Sequence, residues 1–220
     1  MMSDSFTVVA IDGPAASGKS SVAKALARRL GFVYVNTGEM YRAVTWQVLQ
    51  SGVDPKLMDA VRDCTASMDI QCGVEARHST ISVNGAKPGD ALVGEAVNAA
   101  VSFIAKVPEV RQRLVDLQRQ YASRCDSVME GRDIGSIVFP DTPYKFYIDA
   151  SEEVRAARRA KQGLKDSIGQ RDKQDSTRRN SPLVIAEDAH VIDSSHLTID
   201  GVTGEIIGRL KMKGFLQSDF

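Results

Sequence analysis

The sequence predicts an α/β fold, in which helices cover both faces of a mostly parallel sheet. Three observations carry that expectation. Five short apolar runs each stop at turn-forming residues, as the strands of a covered parallel sheet do. Segments with apolar residues at helical spacing alternate with those runs, which is the pattern of strand–helix–strand units. The 220 residues, 43% hydrophobic and 25% charged, suffice for one compact domain with small attachments, here residues 1–220.

Residues 7–11 (TVVAI) form a β-branched run that stops at Asp12-Gly13-Pro14, so a buried strand is expected to run into a turn. From Ser20 onward Val22, Ala23, Leu26, Ala27 and Leu30 recur at helical spacing, and Gly31 closes the helix. A second strand is expected at 32–35, and three more at 127–129, 145–148 and 190–192. Helical periodicity covers 40–49, 97–121, 152–162 and 202–210. Residues 68–89 differ: MDIQCG and STISVNG predict two or three short antiparallel strands with Asn84-Gly85 as a turn. Residues 167–180 are polar, crowded with charge and poor in apolar side chains. They are expected outside the core, and the plain reading is a solvated loop.

Twenty-eight basic side chains balance 28 acidic ones, so no bulk charge points to nucleic acid or an anionic membrane surface. Cys64, Cys72 and Cys125 form no C-x-x-C pair, which fits a reducing, cytoplasmic compartment. His78, His190 and His196 are scattered without metal-ligand spacing. The first residues lack the basic and apolar regions of a secretion signal. No apolar run approaches the ~20 residues of a membrane helix, so neither export nor insertion is expected.

Gly13-Pro14-Ala15-Ala16-Ser17-Gly18-Lys19-Ser20 fits the phosphate-binding pattern G-x-x-x-x-G-K-[ST], with Ser21 following inside the helix. Its place between a buried strand and a helix is the one the mechanism needs. Glycines let the loop wrap around phosphates, while successive N–H groups and the helix N-terminus supply positive potential. Lys19, expected to stand exposed in the cradle, reaches the terminal phosphates, and Ser20 offers its hydroxyl to magnesium. A chance glycine-rich turn would require neither the lysine nor the serine.

A phosphate cradle identifies a nucleoside triphosphate user, and a second substrate must come from elsewhere in the chain. Arg42 and Arg132 follow strands, and Arg171 and Arg178 lie in the polar segment, where α/β proteins place ligand sites. Singly, each reads as a solvated arginine. Their contexts together resemble those of the bacterial cytidylate kinase family: Asn36-Thr37-Gly38-Glu39-Met40-Tyr41-Arg42, Val101-Ser102, Val110-Arg111, Glu130-Gly131-Arg132-Asp133-Ile134-Gly135, Val138-Phe139-Pro140-Asp141, and Arg171-Asp172 through Asp175 and Arg178 to Ser181-Pro182-Leu183. The resemblance spans nearly the whole chain.

The resemblance implies a three-layer P-loop kinase fold on a five-stranded sheet, with a monophosphate-binding region at 37–100, a strand-rich insert at about 68–95 and a short lid at 163–180. It implies that Tyr41, Arg42 and Arg132 hold the acceptor's phosphate with Thr37 close to it, and that Ser102, Arg111 and Asp133 face cytosine. Arg171 and Asp175 would reach ribose and phosphate, and Arg178 would close over the transferring group. Lys19, Arg132, Arg171 and Arg178 are thus the catalytic set, acting by charge and alignment without a general base. Arg155, Arg158 and Arg159 would either touch the ATP base or form a solvated helix face. Asp12 or Glu130 would assist magnesium through water, and Asp133 could instead orient Arg132. The chain departs from the family at Asn36, where aspartate is usual, and at 91–94, where an arginine is common.

The expected activity is ATP- and magnesium-dependent phosphorylation of CMP and dCMP by a monomer. Kinases of AMP, UMP, shikimate or dephospho-coenzyme A are rivals, disfavoured by the Ser102, Arg111 and Asp133 set and by the insert. An ATP-binding switch is a rival from another class, but it has no use for a second arginine cluster.

Overall fold

In β1 (Val8–Asp12) alternate side chains enter two different cores, so helices must cover both faces of the strand. A computed structural model describes residues 6–161 and 183–215. The other strands are β2 (Val33–Asn36), β3 (Ile70–Glu75), β4 (His78–Val83), β5 (Ser127–Gly131), β6 (Lys145–Asp149) and β7 (His190–Asp193). They form one seven-stranded sheet in the order β3-β4-β2-β5-β1-β6-β7, parallel except for the β3–β4 pair. The five strands expected from sequence are five of these. The insert supplies the other two, because β4 docks beside β2 through Tyr34 and His78 and so widens the sheet.

Val9 and Ile11 face α1 (Lys19–Leu30) and α7 (Ile199–Met212) in one core. Val8 and Ala10 face the other core, built with α2 (Thr37–Gln50), α3 (Met58–Ala66), α4 (Glu95–Ile104) and α5 (Pro108–Ala122). A last helix, α6 (Glu152–Lys161), buries no residue in either core. Gly31 closes α1 in the left-handed conformation at φ 71°, and its N–H is bound by carbonyls of the last turn.

One expectation needs correction, and the expected Asn84-Gly85 turn is present but is not the one that joins the hairpin strands. The helical pattern over 97–121 is two helices, since Pro108 cannot donate a backbone hydrogen bond and instead starts α5 at its first position. The turn joining β3 to β4 is Ala76-Arg77, both at positive φ, whereas Asn84-Gly85 makes a second tight turn that brings Ala86 back onto Val83. Helix α3 gave no strong sequence signal; only Val61 and Thr65 are buried in it. Tyr121 Oη of α5 donates to two hairpin carbonyls, Gly73 O at 3.0 Å and Thr80 O at 3.2 Å, so the hairpin is fastened to the helical layer. Among the described residues no helix is long and apolar enough to cross a membrane. The expected lid at 163–180 lies outside the described residues.

Candidate active site

β1 is flanked by β5 and β6, so the chain leaves the C-terminal ends of these parallel strands in different directions and opens a cleft there. Its volume is about 850 Å³. Residues 15–21 of the glycine-rich loop line it together with Thr37, Tyr41, Arg42, Ser102, Arg111, Arg132 and Asp133. Gly13 and Pro14 lie behind that lining. A Cβ on Gly13 would come within 2.1 Å of the Ile148 carbonyl oxygen, so the loop can pass β6 only as glycine. Arg171, Asp175 and Arg178 lie outside the described residues.

Gly18, at φ 91°, turns the loop into α1. Lys19 is not exposed as the sequence suggested: it is only 7% accessible, and its Nζ rests on Pro14 O at 2.9 Å. This bond holds the ammonium inside the cradle. Ser17 Oγ is fully buried and has no partner among the described residues, a polar group suited to an incoming ligand. Arg155 and Arg158 are half-buried and bound to the loop: Arg155 Nη1 donates to Ala15 O at 3.3 Å and Arg158 Nη1 to Ser17 O at 3.1 Å, while Arg158 and Arg159 also line the cleft.

Across the cleft, Arg42 projects from the second turn of α2. It passes so close to Gly38 that a Cβ there would be 2.9 Å from Arg42 Nη1. Burial lowers its pKa, and the Arg132 guanidinium lowers it further. Its Nε is buried without a partner among the described residues. Two neighbouring guanidinium groups in a buried position repel unless an anion joins them. Thr37 Oγ1 donates to Glu130 O at 2.8 Å, and Gly131 leaves room for it, since a Cβ would lie 2.7 Å from that oxygen.

Arg111 and Asp133 form a buried ion pair, and Arg111 Nη1 also donates to Tyr41 Oη at 3.1 Å. Asp133 is therefore held by Arg111, and the pair presents a carboxylate acceptor beside guanidinium donors. Ser102, buried on α4, lines the same part of the cleft.

Two carboxylates sit deeper. Both oxygens of Asp12 accept backbone N–H groups, Ile134 at 2.8 Å and Gly135 at 2.7 Å, at the start of a π-helical turn over Ile134–Val138. Burial nevertheless pushes its pKa up to about 6, against those two bonds and the charges of Arg132 and Lys19. Glu130 Oε1 accepts from Tyr34 Oη at 2.9 Å, and Tyr34, also in hydrogen-bonding reach of Ser20, has its pKa raised by burial and then by Glu130. Among the described residues no cluster of three His, Cys, Asp or Glu could hold a metal ion alone. A magnesium ion that keeps its waters and rides on nucleotide phosphates needs no such cluster, and the Ser20 hydroxyl fits it.

Sequence reasoning missed one wall of the cleft. Ser194, Leu197, Thr198, Ile199 and Val202 close the end beside the glycine-rich loop, and Asp90, Leu92 and Val93 close the opposite rim. The first group follows β7, one strand beyond β6, and only the sheet order brings it to the loop.

A family model described as Cytidylate kinase matches residues 9–212. A cytidylate kinase of Rhodococcus opacus (strain B4) is 43% identical over 218 residues, covering 94% of this chain and 95% of that protein. One from Mycobacterium avium (strain 104) is 46% identical over 203 residues, covering 87% and 89%. Among solved structures, an uncharacterized protein from Eubacterium ventriosum ATCC 27560 shares the fold at a TM-score of 0.50 and 16% identity, over 93% of this chain and 98% of that one.

Proposed function

This chain belongs to the cytidylate kinase family, a family of kinases acting on nucleoside monophosphates, and from that premise we propose that it moves the γ-phosphoryl group of ATP onto the phosphate of CMP or dCMP. The observation that carries the proposal is the meeting of two anion-binding groups in one cleft: the glycine-rich loop with Lys19, and Arg42 with Arg132 opposite. One group takes the donor's phosphates and the other the acceptor's. The transferred group then lies between them, which is the alignment an in-line displacement requires.

In this reading the loop N–H groups and Lys19 bear the donor's β- and γ-phosphates. Arg42 and Arg132 converge on the acceptor phosphate, whose charge relieves the repulsion between them. Tyr41 and Thr37 flank that phosphate. Asp133 accepts from the cytosine amino group while Arg111 and Ser102 donate to its ring acceptors. Uracil presents an oxygen where cytosine presents that amine, so it would face a carboxylate that can only accept. Magnesium would be held by the Ser20 hydroxyl and would supply charge neutralisation. Asp12 or Glu130, already committed to backbone and Tyr34 donors, would assist it through water. The acceptor oxygen is already anionic, so the protein's task is alignment, charge and exclusion of water. Arg171, Asp175 and Arg178 would complete the cage around the transferring group.

The test is ADP formation from ATP and magnesium with CMP, dCMP, UMP and AMP offered in turn. Turnover fastest with the cytidine nucleotides is the expected result. A different best acceptor would move the chain to another branch of monophosphate kinases, and no turnover with any acceptor would leave a binding module.

A further inference from the structure

A loop whose N–H groups converge on a ligand turns its carbonyls away from it, and buried carbonyls need donors of their own. Around the glycine-rich loop those donors are side chains. Lys19 Nζ serves Pro14 O, and Arg155 Nη1 serves Ala15 O. Ser17 O takes two, Ser194 Oγ at 2.8 Å and Arg158 Nη1 at 3.1 Å. Arg158 also grips Ser194 itself, with Nη1 to Oγ at 3.0 Å and Nη2 to the carbonyl at 2.7 Å. Ser194 is 3% exposed, and its N–H is tied to Asp149 O at 2.8 Å. A buried clamp therefore joins loop residues to a serine 177 positions away in sequence.

The peptide after Ser17 has particular need of this. Ser17 stands between Ala16 at φ 60° and Gly18 at φ 91°, two left-handed residues, one of which carries a Cβ. That geometry is unfavourable for alanine and persists only where the surroundings impose it. Ser194 also opens the wall formed by Leu197, Thr198 and Ile199, the part of the cleft beside the phosphate loop where the base of a bound donor would lie.

We propose that Ser194 is a positioning residue that holds the phosphate loop in its binding shape before a nucleotide arrives. It gives its proton to Ser17 O and accepts from Arg158, so its hydroxyl has a single orientation. The inference rests on the reading that residues 13–20 take the donor's triphosphate.

Inorganic tripolyphosphate with magnesium is the discriminating probe, since it occupies the loop and never touches the base wall. Binding of tripolyphosphate and of ATP would be measured by calorimetry on Ser194→Ala and Ser194→Thr, with KM for CMP alongside. Removing the shorter of the two donors to a buried carbonyl, and with it the acceptor that orients Arg158, is expected to weaken both triphosphates by about five- to tenfold and leave the CMP value within about twofold, and threonine is expected to restore both. Weaker ATP with unchanged tripolyphosphate would place Ser194 in the base wall only and overturn the proposal. Equal loss for CMP, or failure of threonine to restore binding, would overturn it in favour of general packing. A parent protein that binds no tripolyphosphate would instead overturn the donor-site reading.

Discussion

In the proposed reaction Lys19 would neutralise the negative charge that grows in transfer, yet its stem is buried and its ammonium is braced by Pro14 O. Methionine matches the stem and lacks the charge, so Lys19→Met should keep the fold and lose roughly 2.7 to 4 kcal/mol of transition-state stabilisation, about 10²- to 10³-fold in kcat. Steady-state rates beside a circular dichroism melt check this; retention of a tenth of the rate would contradict it. Asp133 is harder to probe, because alanine would strand the buried Arg111 charge as well as remove a contact to the base. Asparagine is the cleaner change, since its amide both accepts and donates. A CMP over UMP preference of roughly ten- to a hundredfold in kcat/KM should shrink toward parity in Asp133→Asn, whereas an equal loss for both would assign Asp133 to phosphate or arginine alignment. Asp12 gives a pH signature in the ligand-free protein. Its pKa rises from 3.8 to about 6 on folding, so the folded state holds the proton more tightly. The associated stability is fully present below about pH 3.8 and is lost as pH rises through about 6, amounting to roughly 3 kcal/mol. Denaturant midpoints from pH 4 to 7 should show that slope for the parent chain and lack it in Asp12→Asn.

Helix α2 begins at Asn36, whose Oδ1 accepts from Glu39 N–H at 3.3 Å while its Nδ2 donates to Glu39 Oε1 at 2.9 Å. That second bond pairs the asparagine side chain with Glu39, which an aspartate could not do. Glu39 is partly buried with its pKa already raised by desolvation, and an aspartate would set a second carboxylate against it. Asn36→Ala should cost about 1 kcal/mol through the lost cap. Asn36→Asp should keep the backbone cap and still destabilise, because the Nδ2 donor is gone; a more stable aspartate variant, read from chemical denaturation, would refute the pairing argument. This helix also marks what was legible in sequence. The strands were, because each is a short β-branched run ending in a turn, and α1 was, because its periodic face is closed by Gly31. The phosphate loop was legible because all its parts are contiguous. Less visible were α3, whose buried face is two residues, and the break before Pro108, which lay inside a continuous periodic pattern. Arg42 and Arg132 were found through their motif contexts, but no local pattern announces that Arg158 and Ser194 meet at Ser17 O.

The two cores divide the cleft as well as the sheet. Every described side chain assigned to the acceptor comes from α2, α4, α5 or the exit of β5, on the face whose core includes Val8, Ala10 and Met129. Those assigned to the donor come from the loop before α1, the first turn of α1 and the segment after β7, on the face of Val9, Ile11 and Ile192. Each substrate should thus tie down one layer, with β1 and β5 shared between them. A ligand at a hundred times its dissociation constant adds about 2.7 kcal/mol, and for a chain of this size that raises the midpoint by roughly 5 to 10 °C. CMP and a non-hydrolysable ATP analogue should each give such a shift, and together a shift at least as large as the sum. Amide exchange separates the layers directly. CMP alone should protect the first turns of α2 and the buried face of α4, while the ATP analogue alone should protect the start of α1 and residues 194–202. CMP protecting 194–202 as strongly as the ATP analogue does would mean that the layers respond as one body and that the division of the cleft by face is wrong. Protection confined to one layer per ligand would instead leave Asp12, which feels the charges of both Arg132 and Lys19, and Glu130, whose carboxylate accepts from Tyr34 and whose carbonyl accepts from Thr37, as the buried groups shared by both halves of the site.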